Sequence, residues 1–232
     1  MLRHRIAAIF SIFSLIAVSG LATTLVTPAQ ARRIPNIRAE VPLLDTIDVV
    51  IRRRSIIAVD PSVGFDVART PLEVREEVLW SGTRGRVAMV VTDKRVLAIS
   101  TGTPHWQETR FWLRESLPSS VSIGDRVALV TTSHRVIGMG SSGGPLKTRE
   151  IGTHEDLLDV IVGDNLAVVI TDKRLLGLSA FAGGFFQEAV GIHEDLDYAK
   201  ASADFATVTT DRRLVIFDAN SGDWRSRRLR LD

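Results

Sequence analysis

The 232-residue chain contains no cysteine, which excludes disulfide bonds, thiolate metal sites, thiol catalysis and a lipid-modified N-terminal cysteine. Aromatic residues make up only 6% of the chain, with a single tyrosine, and a lectin would need more sugar-stacking rings. The chain also lacks a Gly-x-Ser-x-Gly elbow, a His-Glu-x-x-His helix, a phosphate loop and a dinucleotide fingerprint. We therefore expect no enzymatic activity, no cofactor and no bound metal.

Residues 1–31 have the pattern of an export signal. Arg3 and Arg5 precede an apolar stretch from Ile6 to Val26, and Ala29-Gln30-Ala31 supplies a small-x-small cleavage step. Cleavage before Arg32 predicts a periplasmic or extracellular protein. If the signal stays uncleaved, its apolar stretch is about long enough to span a bilayer, and this is the only membrane contact that the sequence predicts.

The charges are balanced overall but unevenly distributed. Without the signal, 27 basic and 27 acidic residues remain, which argues against a nucleic-acid partner because such proteins present a basic face. Residues 149–204 hold 11 acidic and 4 basic side chains, whereas segments 32–54 and 205–232 together hold 12 basic and 7 acidic ones. We expect an acidic side and a basic seam where the two ends of the folded chain meet.

One pattern recurs five times after a short lead-in at 32–37. The central turn of the pattern carries a threonine in four copies, with an arginine at the matching place in the first, at spacings of 40, 40, 39 and 39: Arg52, Thr92, Thr132, Thr171 and Thr210. A second ladder of basic residues consists of Arg38, Arg75, Arg114, His154 and His193. Cutting there gives the units 38–74, 75–113, 114–153, 154–192 and 193–232.

Periods of this length are typical of propeller blades and of helical HEAT or armadillo units. Here the apolar residues alternate with period two: Val87, Met89 and Val91 share one face of a strand, and Ala88 and Val90 share the other. Apolar residues on both faces indicate strands that are covered on both sides, as in stacked blades. The sequence therefore predicts an all-β, five-bladed β-propeller of four-stranded blades of about 39 residues, closed without strand exchange.

The third unit illustrates the expected blade. We predict strands over 120–123, 127–131, 135–140 and 146–151. The last unit, VTTDRRLVIFDANSGDWR, resembles the repeat of quinoprotein-type propellers, in which a hairpin leads into a Leu-Asp-x-x-x-Gly-x-x-Trp stretch. Units two to four carry Ser100, Gly140 and Ser179 where that repeat has Asp, so the resemblance implies the fold and no cofactor. In ring size the chain is also similar to five-bladed lectin propellers.

Four units place a Glu and an Arg about half a repeat apart, at positions that a propeller would bring to one rim. The pairs are Glu76 with Arg95, Glu115 with Arg135, Glu155 with Arg174, and Glu194 with Arg213. They predict either repeated structural ion pairs or a charged crown that docks a partner. The structural interpretation is favoured, because a residue type that returns in nearly every unit serves the repeat.

A basic cluster departs most from the repeat. Its members are Arg52, Arg53, Arg54, Arg225, Arg227, Arg228 and Arg230. The first three replace the Thr-Asp-Lys turn of other units. This seam is our candidate surface for an acidic protein, anionic headgroups or polysaccharide, the alternative being a solvated tail beside a basic turn.

Other candidate groups have simpler explanations. His154-Glu155-Asp156 and His193-Glu194-Asp195 could bind zinc, but equivalent positions on two blades are too far apart to share one ion. The residues that open the fourth strands are either sugar platforms or packing between blades: Phe65, Trp106, Leu146, Phe186 and Trp224. Trp80 and Trp112 break the repeat, which makes them better functional leads.

Together these features predict a monomeric, exported, non-enzymatic module that binds or scaffolds a protein or an envelope polysaccharide. A carbohydrate-binding lectin is the second hypothesis, and a glycoside hydrolase is the third. A hydrolase needs two carboxylates in a funnel shaped by loops. The five units are nearly equal in length, which leaves no inserted loops to shape one.

Overall fold

The computed structural model describes residues 47–61, 65–116 and 118–229, and in these residues the regular structure is entirely β-strand, with nineteen strands in five antiparallel sheets. The first sheet contains β1 (Asp48–Arg52), β2 (Ser55–Asp60) and β3 (Phe65–Pro71). The second contains β4 (Val78–Arg84), β5 (Val87–Thr92), β6 (Arg95–Ser100) and β7 (Thr103–Arg110), and the third contains β8 (Ser120–Ile123), β9 (Val127–Thr131), β10 (Arg135–Gly140) and β11 (Lys147–Glu150). The fourth contains β12 (Leu157–Val162), β13 (Leu166–Thr171), β14 (Arg174–Ser179) and β15 (Phe185–Ala189), and the fifth contains β16 (Leu196–Ala201), β17 (Phe205–Thr210), β18 (Arg213–Asp218) and β19 (Asp223–Arg228).

The five-bladed β-propeller predicted from the sequence is confirmed as the fold class. Each sheet is one continuous stretch of chain, and its strands pair with their neighbours in sequence order. In the third sheet the strands match the predicted ranges, except that the last spans Lys147–Glu150 rather than 146–151. The first strand predicted for this blade would precede Asp48 and lies outside the described residues, so β1, β2 and β3 are its second, third and fourth strands.

The core lies between consecutive sheets, because the two central strands of the second, third and fourth sheets bury both faces. One cluster joins the second and third sheets through Met89 and Ile137. Another joins the fourth and fifth sheets through Val168 and Phe217. Similar clusters lie between the first and second and between the third and fourth sheets. This arrangement is the burial that the period-two pattern with two apolar faces predicts.

Backbone hydrogen bonds between successive sheets connect the turns that join the first and second strands. The amides and carbonyls that pair are Ile47 N with Gly85 O (3.3 Å), Arg86 N with Asp125 O (2.7 Å), Arg126 N with Asp164 O (2.8 Å) and Asn165 N with Ala203 O (2.9 Å). Such close approach requires a missing side chain. A Cβ on Gly163 would lie 1.9 Å from the Ser202 carbonyl oxygen, so glycine is needed there.

The fifth sheet differs on the face that points away from the fourth. Where the fourth sheet has the buried Val168 and Ile170, the fifth has the half-buried Thr207 and Thr209. Among the residues that the structure describes, no apolar cluster joins the fifth sheet to the first. Closure of the ring between these two sheets therefore stays a prediction.

The close approach of neighbouring sheets predicts that Gly163→Ala destabilises the protein by about 2 kcal/mol, because the added methyl group overlaps a backbone carbonyl that cannot move freely. Chemical denaturation of both proteins measures the difference. Gly184→Ala is the control, since no atom lies within 4 Å of its added Cβ. Equal stability of the Gly163 variant and wild type would show that the turns separate at little cost.

Candidate functional site

The links between sheets and the central hairpins lie side by side at one end of the sheets, which we name the rim. A link is the segment between the last strand of one sheet and the first strand of the next. Its first amide donates to a hairpin carbonyl, as in Leu72 N to Arg54 O (2.9 Å) and Phe111 N to Lys94 O (3.0 Å). The same bond recurs in the later sheets. Residues of both segments therefore share one surface.

A Glu–Arg ion pair lies beneath each described link. The Arg Nε or terminal nitrogen lies 2.7–2.8 Å from a Glu carboxylate oxygen in Arg95–Glu76, Arg135–Glu115, Arg174–Glu155 and Arg213–Glu194. In the third unit, Glu115 also accepts hydrogen bonds from the Thr132 hydroxyl and from the Trp112 amide (2.8 Å). The turn threonines that recur in the repeat thus donate hydrogen bonds to the carboxylates.

Each of these arginines also joins two sheets. The guanidinium donates to the carbonyl at the end of the preceding sheet, as Arg95 does to Pro71 O (2.7 Å) and Arg174 to Glu150 O (2.6 Å). Arg135 and Arg213 make the equivalent bonds. The four pairs therefore fasten neighbouring sheets at the rim.

The carboxylates of these pairs are buried and ionised at neutral pH, whereas the arginines range from buried Arg95 and Arg135 to Arg174 and Arg213, whose side chains are 22% and 19% exposed. The side chains of Arg135 and Glu115 are only 4% and 0% exposed. Burial alone would raise the glutamate pKa, but hydrogen bonds from Arg, Thr and a backbone amide outweigh it and lower the pKa of all four carboxyl groups. The pKa of Glu194 falls to about 2. The pairs of the second and third units are therefore closed to direct contact with a partner, whereas Glu194 and Arg213 line an open surface pocket.

Each buried Glu also closes a four-residue turn in its link, which we name the link turn. The first residue's amide donates to the Glu Oε2, and the Glu amide donates back to the first residue's carbonyl, with distances of 2.6–3.2 Å, at 73–76, 112–115, 152–155 and 191–194. The two central residues form the apex of the turn. The apices are Val74-Arg75, Leu113-Arg114, Thr153-His154 and Ile192-His193.

Sequence reasoning missed the apolar residue at three of the four apices. Leu113 is fully exposed (101%), Ile192 is 90% exposed and Val74 is 70% exposed. Among the described large apolar residues these three are the most exposed, and Tyr198 follows at 56%. The sequence did contain a signal for these residues. In each case an apolar residue stands between the end of a strand and a basic residue followed by Glu, in a segment too short to bury it.

The basic seam is only partly placed by the structure. Arg52, Arg53 and Arg54 are exposed at the β1–β2 hairpin, where Arg52 and Ser55 stand in place of the turn threonine and the hairpin arginine that build the ion pairs of the other sheets. Arg225, Arg227 and Arg228 lie on β19. Arg230 lies outside the described residues. Within the described ranges, no hydrogen bond or ion pair connects the two groups.

The histidine motifs do not form a metal site in the described part of the chain. His154 and His193 point outward from link turns, whereas Glu155 and Glu194 pair with arginines. No group of three His, Asp or Glu side chains that could hold an ion occurs among the described residues. The arginine that neutralises each Glu comes from the hairpin and not from the preceding basic residue of the link.

The aromatic candidates at the fourth strands pack between sheets. Trp106 Nε1 donates to Ala68 O (3.4 Å) and Trp224 Nε1 to Phe186 O (3.1 Å), each in the preceding sheet. The Trp224 ring centroid lies 4.7 Å from that of Phe217. Leu146 and Phe186 are half-buried against apolar clusters, and the side chain of Phe65 lies outside the description. These side chains are therefore not open sugar platforms.

The two tryptophans that break the repeat differ. Trp80 is half-buried against the cluster between the second and third sheets, where its ring fills the space over Gly82. Trp112 is exposed at the start of a link turn, and its ring centroid lies 4.6 Å from the Arg135 guanidinium carbon. Only Trp112 offers surface to a partner.

Comparison with known proteins finds distant structural likenesses. No protein-family model and no curated protein matches the chain. Similar solved structures include human WBSCR16 (9% identity, TM-score 0.40, 75% of this chain and 60% of that chain), BamB from Moraxella catarrhalis (14%, 0.32, 79% and 62%) and Kluyveromyces lactis Hsv2 (8%, 0.31, 81% and 83%). The chain thus spans less than two thirds of WBSCR16 and BamB.

Its own five antiparallel sheets define the chain as a β-propeller repeat protein. The similar structures also include dihydro-heme d1 dehydrogenase NirN, so the likeness does not decide between enzyme and binding module. The described residues contain no helix that is long and apolar enough to cross a membrane.

The buried pair in the third unit predicts that Glu115→Ala lowers the free energy of unfolding by about 3 kcal/mol, because Arg135 would stay buried without its counter-charge. Urea denaturation measures the loss. Glu150→Ala removes an exposed carboxylate from β11 and should cost less than about 0.5 kcal/mol. Similar losses for the two variants would contradict the role of the buried pair.

The lowered pKa values also predict a pH dependence of stability. The four carboxylates titrate lower in the folded chain than the ordinary 4.5, so their contribution is full above that pH and is lost as the pH falls towards about 2. Thermal unfolding between pH 6 and pH 2 should show this decline. In Glu194→Gln the decline should be shallower, and an unchanged slope would refute the assignment.

Proposed function

We propose that this protein is an exported, non-enzymatic binding or scaffolding module that docks a partner protein of the cell envelope through its rim. The observation that carries the proposal is the basic hairpin of the first sheet. Arg52, Arg53 and Arg54 are exposed and adjacent, at the one described hairpin that lacks the buried pair. Such a concentration of like charge fits an acidic surface on a partner.

The geometry supports binding over catalysis. A glycosidase needs a carboxylic acid that is protonated near neutral pH, which requires a raised pKa. The buried glutamates of the rim have lowered pKa values and are saturated with hydrogen bonds from Arg, Thr and backbone donors. They hold the fold at the rim and have no lone pair or proton to spare for a substrate.

A lectin also receives little support. Of the four tryptophans, Trp106 and Trp224 donate their indole N–H groups to a neighbouring sheet, and Trp80 packs into a core cluster. Sugar-binding repeats would need an open ring on several blades. The described rim instead offers cations and rigid turns, which suit a protein surface.

A charge reversal tests the docking surface. We expect the double variant Arg53→Glu and Arg54→Glu to lose the envelope proteins that wild-type protein crosslinks and retains, because a basic hairpin becomes acidic. Mass spectrometry of the crosslinked material measures this. The matched control, Lys147→Glu with Arg149→Glu, makes the same change on β11 and should retain the wild-type set. If the hairpin variant crosslinks and retains the same envelope proteins as wild type, the proposal is wrong.

A further inference from the structure

The apolar apices of the link turns have no role in the fold. The Leu113 side chain is fully exposed, and the Val74 side chain in the preceding link is 70% exposed. An exposed large aliphatic residue is ordinary once, but here it recurs at the same turn position in three links. A basic residue follows each of them: Arg75, Arg114 and His193.

The turns hold these side chains rigidly. Both hydrogen bonds of each link turn end on the same Glu, and that Glu is fixed by a buried arginine. In the first described link, Lys94 Nζ donates to Val74 O (2.8 Å), which fixes a second cation directly beside the apex. The chain therefore presents an aliphatic side chain and cations on a base that does not need to reorganise.

The surroundings of Leu113 add an aromatic residue. Trp112 precedes it and is 45% exposed, with the Arg135 guanidinium beneath its ring. A half-exposed indole, an aliphatic tip and an arginine are thus consecutive at 112–114. Tryptophan and arginine are the residues that favour the headgroup level of a bilayer, while the aliphatic tip favours the acyl boundary below it.

We propose that the link turns at 73–76 and 112–115 contact the surface of an anionic lipid bilayer. Protein interfaces are centred on a contiguous apolar patch, whereas these apolar residues are isolated convex points, one on each link. A bilayer accepts such points independently, because acyl chains close around each one. Anionic headgroups would then neutralise Arg75, Lys94 and Arg114.

Charge favours the turn at 112–115 most, because Ser116 follows it where an exposed carboxylate, Glu77, Asp156 or Asp195, follows each of the other three described turns. The apices at 152–155 and 191–194 also carry histidine instead of arginine, whereas at 73–76 Arg75 and Lys94 offset Glu77. Ile192 should therefore contact anionic lipid less than Leu113 does, although its exposure is similar. The bilayer contact of the link turns and the protein docking of the basic hairpin involve different residues. Either proposal can therefore fail while the other stands.

The absence of cysteine allows a direct test in the full chain. A Leu113→Cys variant labelled with the fluorophore NBD should show a blue shift and increased emission on adding phosphatidylglycerol–phosphatidylethanolamine vesicles, and much less with phosphatidylcholine vesicles. Adding Arg114→Glu to this variant should remove most of the shift. Soluble glycerol phosphate should produce none, which separates a bilayer from a free phosphate.

Two further labels make the result decisive. Phe181→Cys is the matched control, because Phe181 lies in the turn after β14, at the end of the sheet opposite the rim, and also has an arginine, Arg126, against its ring. A shift at 181 equal to that at 113, or no shift at 113, would overturn the proposal. A smaller shift for Ile192→Cys than for Leu113→Cys would support the charge argument.

Discussion

The rim depends on one interaction, the buried pairing of a link carboxylate with a hairpin guanidinium. Removing both charges from water costs several kcal/mol for each ion, so the pair persists only where hydrogen bonds satisfy the remaining lone pairs and protons. Here they do: Glu115 receives bonds from Arg135, Thr132 and a backbone amide, and Arg135 reaches a carbonyl of the preceding sheet. One pair therefore fixes a link, a hairpin and the contact between two sheets.

The first sheet shows that this network is lost as a unit. Arg52 replaces the turn threonine and Ser55 replaces the hairpin arginine, so neither donor to the carboxylate remains. Retaining one member would leave a buried charge or an unpaired polar group, which is costlier than losing all of them. The β1–β2 hairpin, which lacks this network, carries the exposed arginines.

The sequence predicted the fold well because period-two alternation with two apolar faces has few solutions, and central strands such as Val87–Thr92 are buried on both faces. The constant half-repeat spacing also predicted which Glu meets which Arg. The spacing of Glu and Arg in the sequence could not show how deeply each pair is buried. Arg95 could therefore be interpreted as an exposed residue of a charged crown, although it is buried. Leu113 was missed because an apolar residue beside a strand suggests core, and only the closed turn shows that it points outward.

In each link turn, the last residue stabilises the fold, whereas the two apex residues can vary. Their last residue is glutamate in every described link, because its carboxylate supports the turn from inside. The apex residues range from Val74 to Thr153 and from Arg75 to His193, since their side chains are exposed and take no part in the two hydrogen bonds of the turn. Rigid support is what a binding residue needs, because little entropy remains to be lost on contact. The recurrence of an apolar side chain at three unconstrained apices is therefore best explained by something outside the chain.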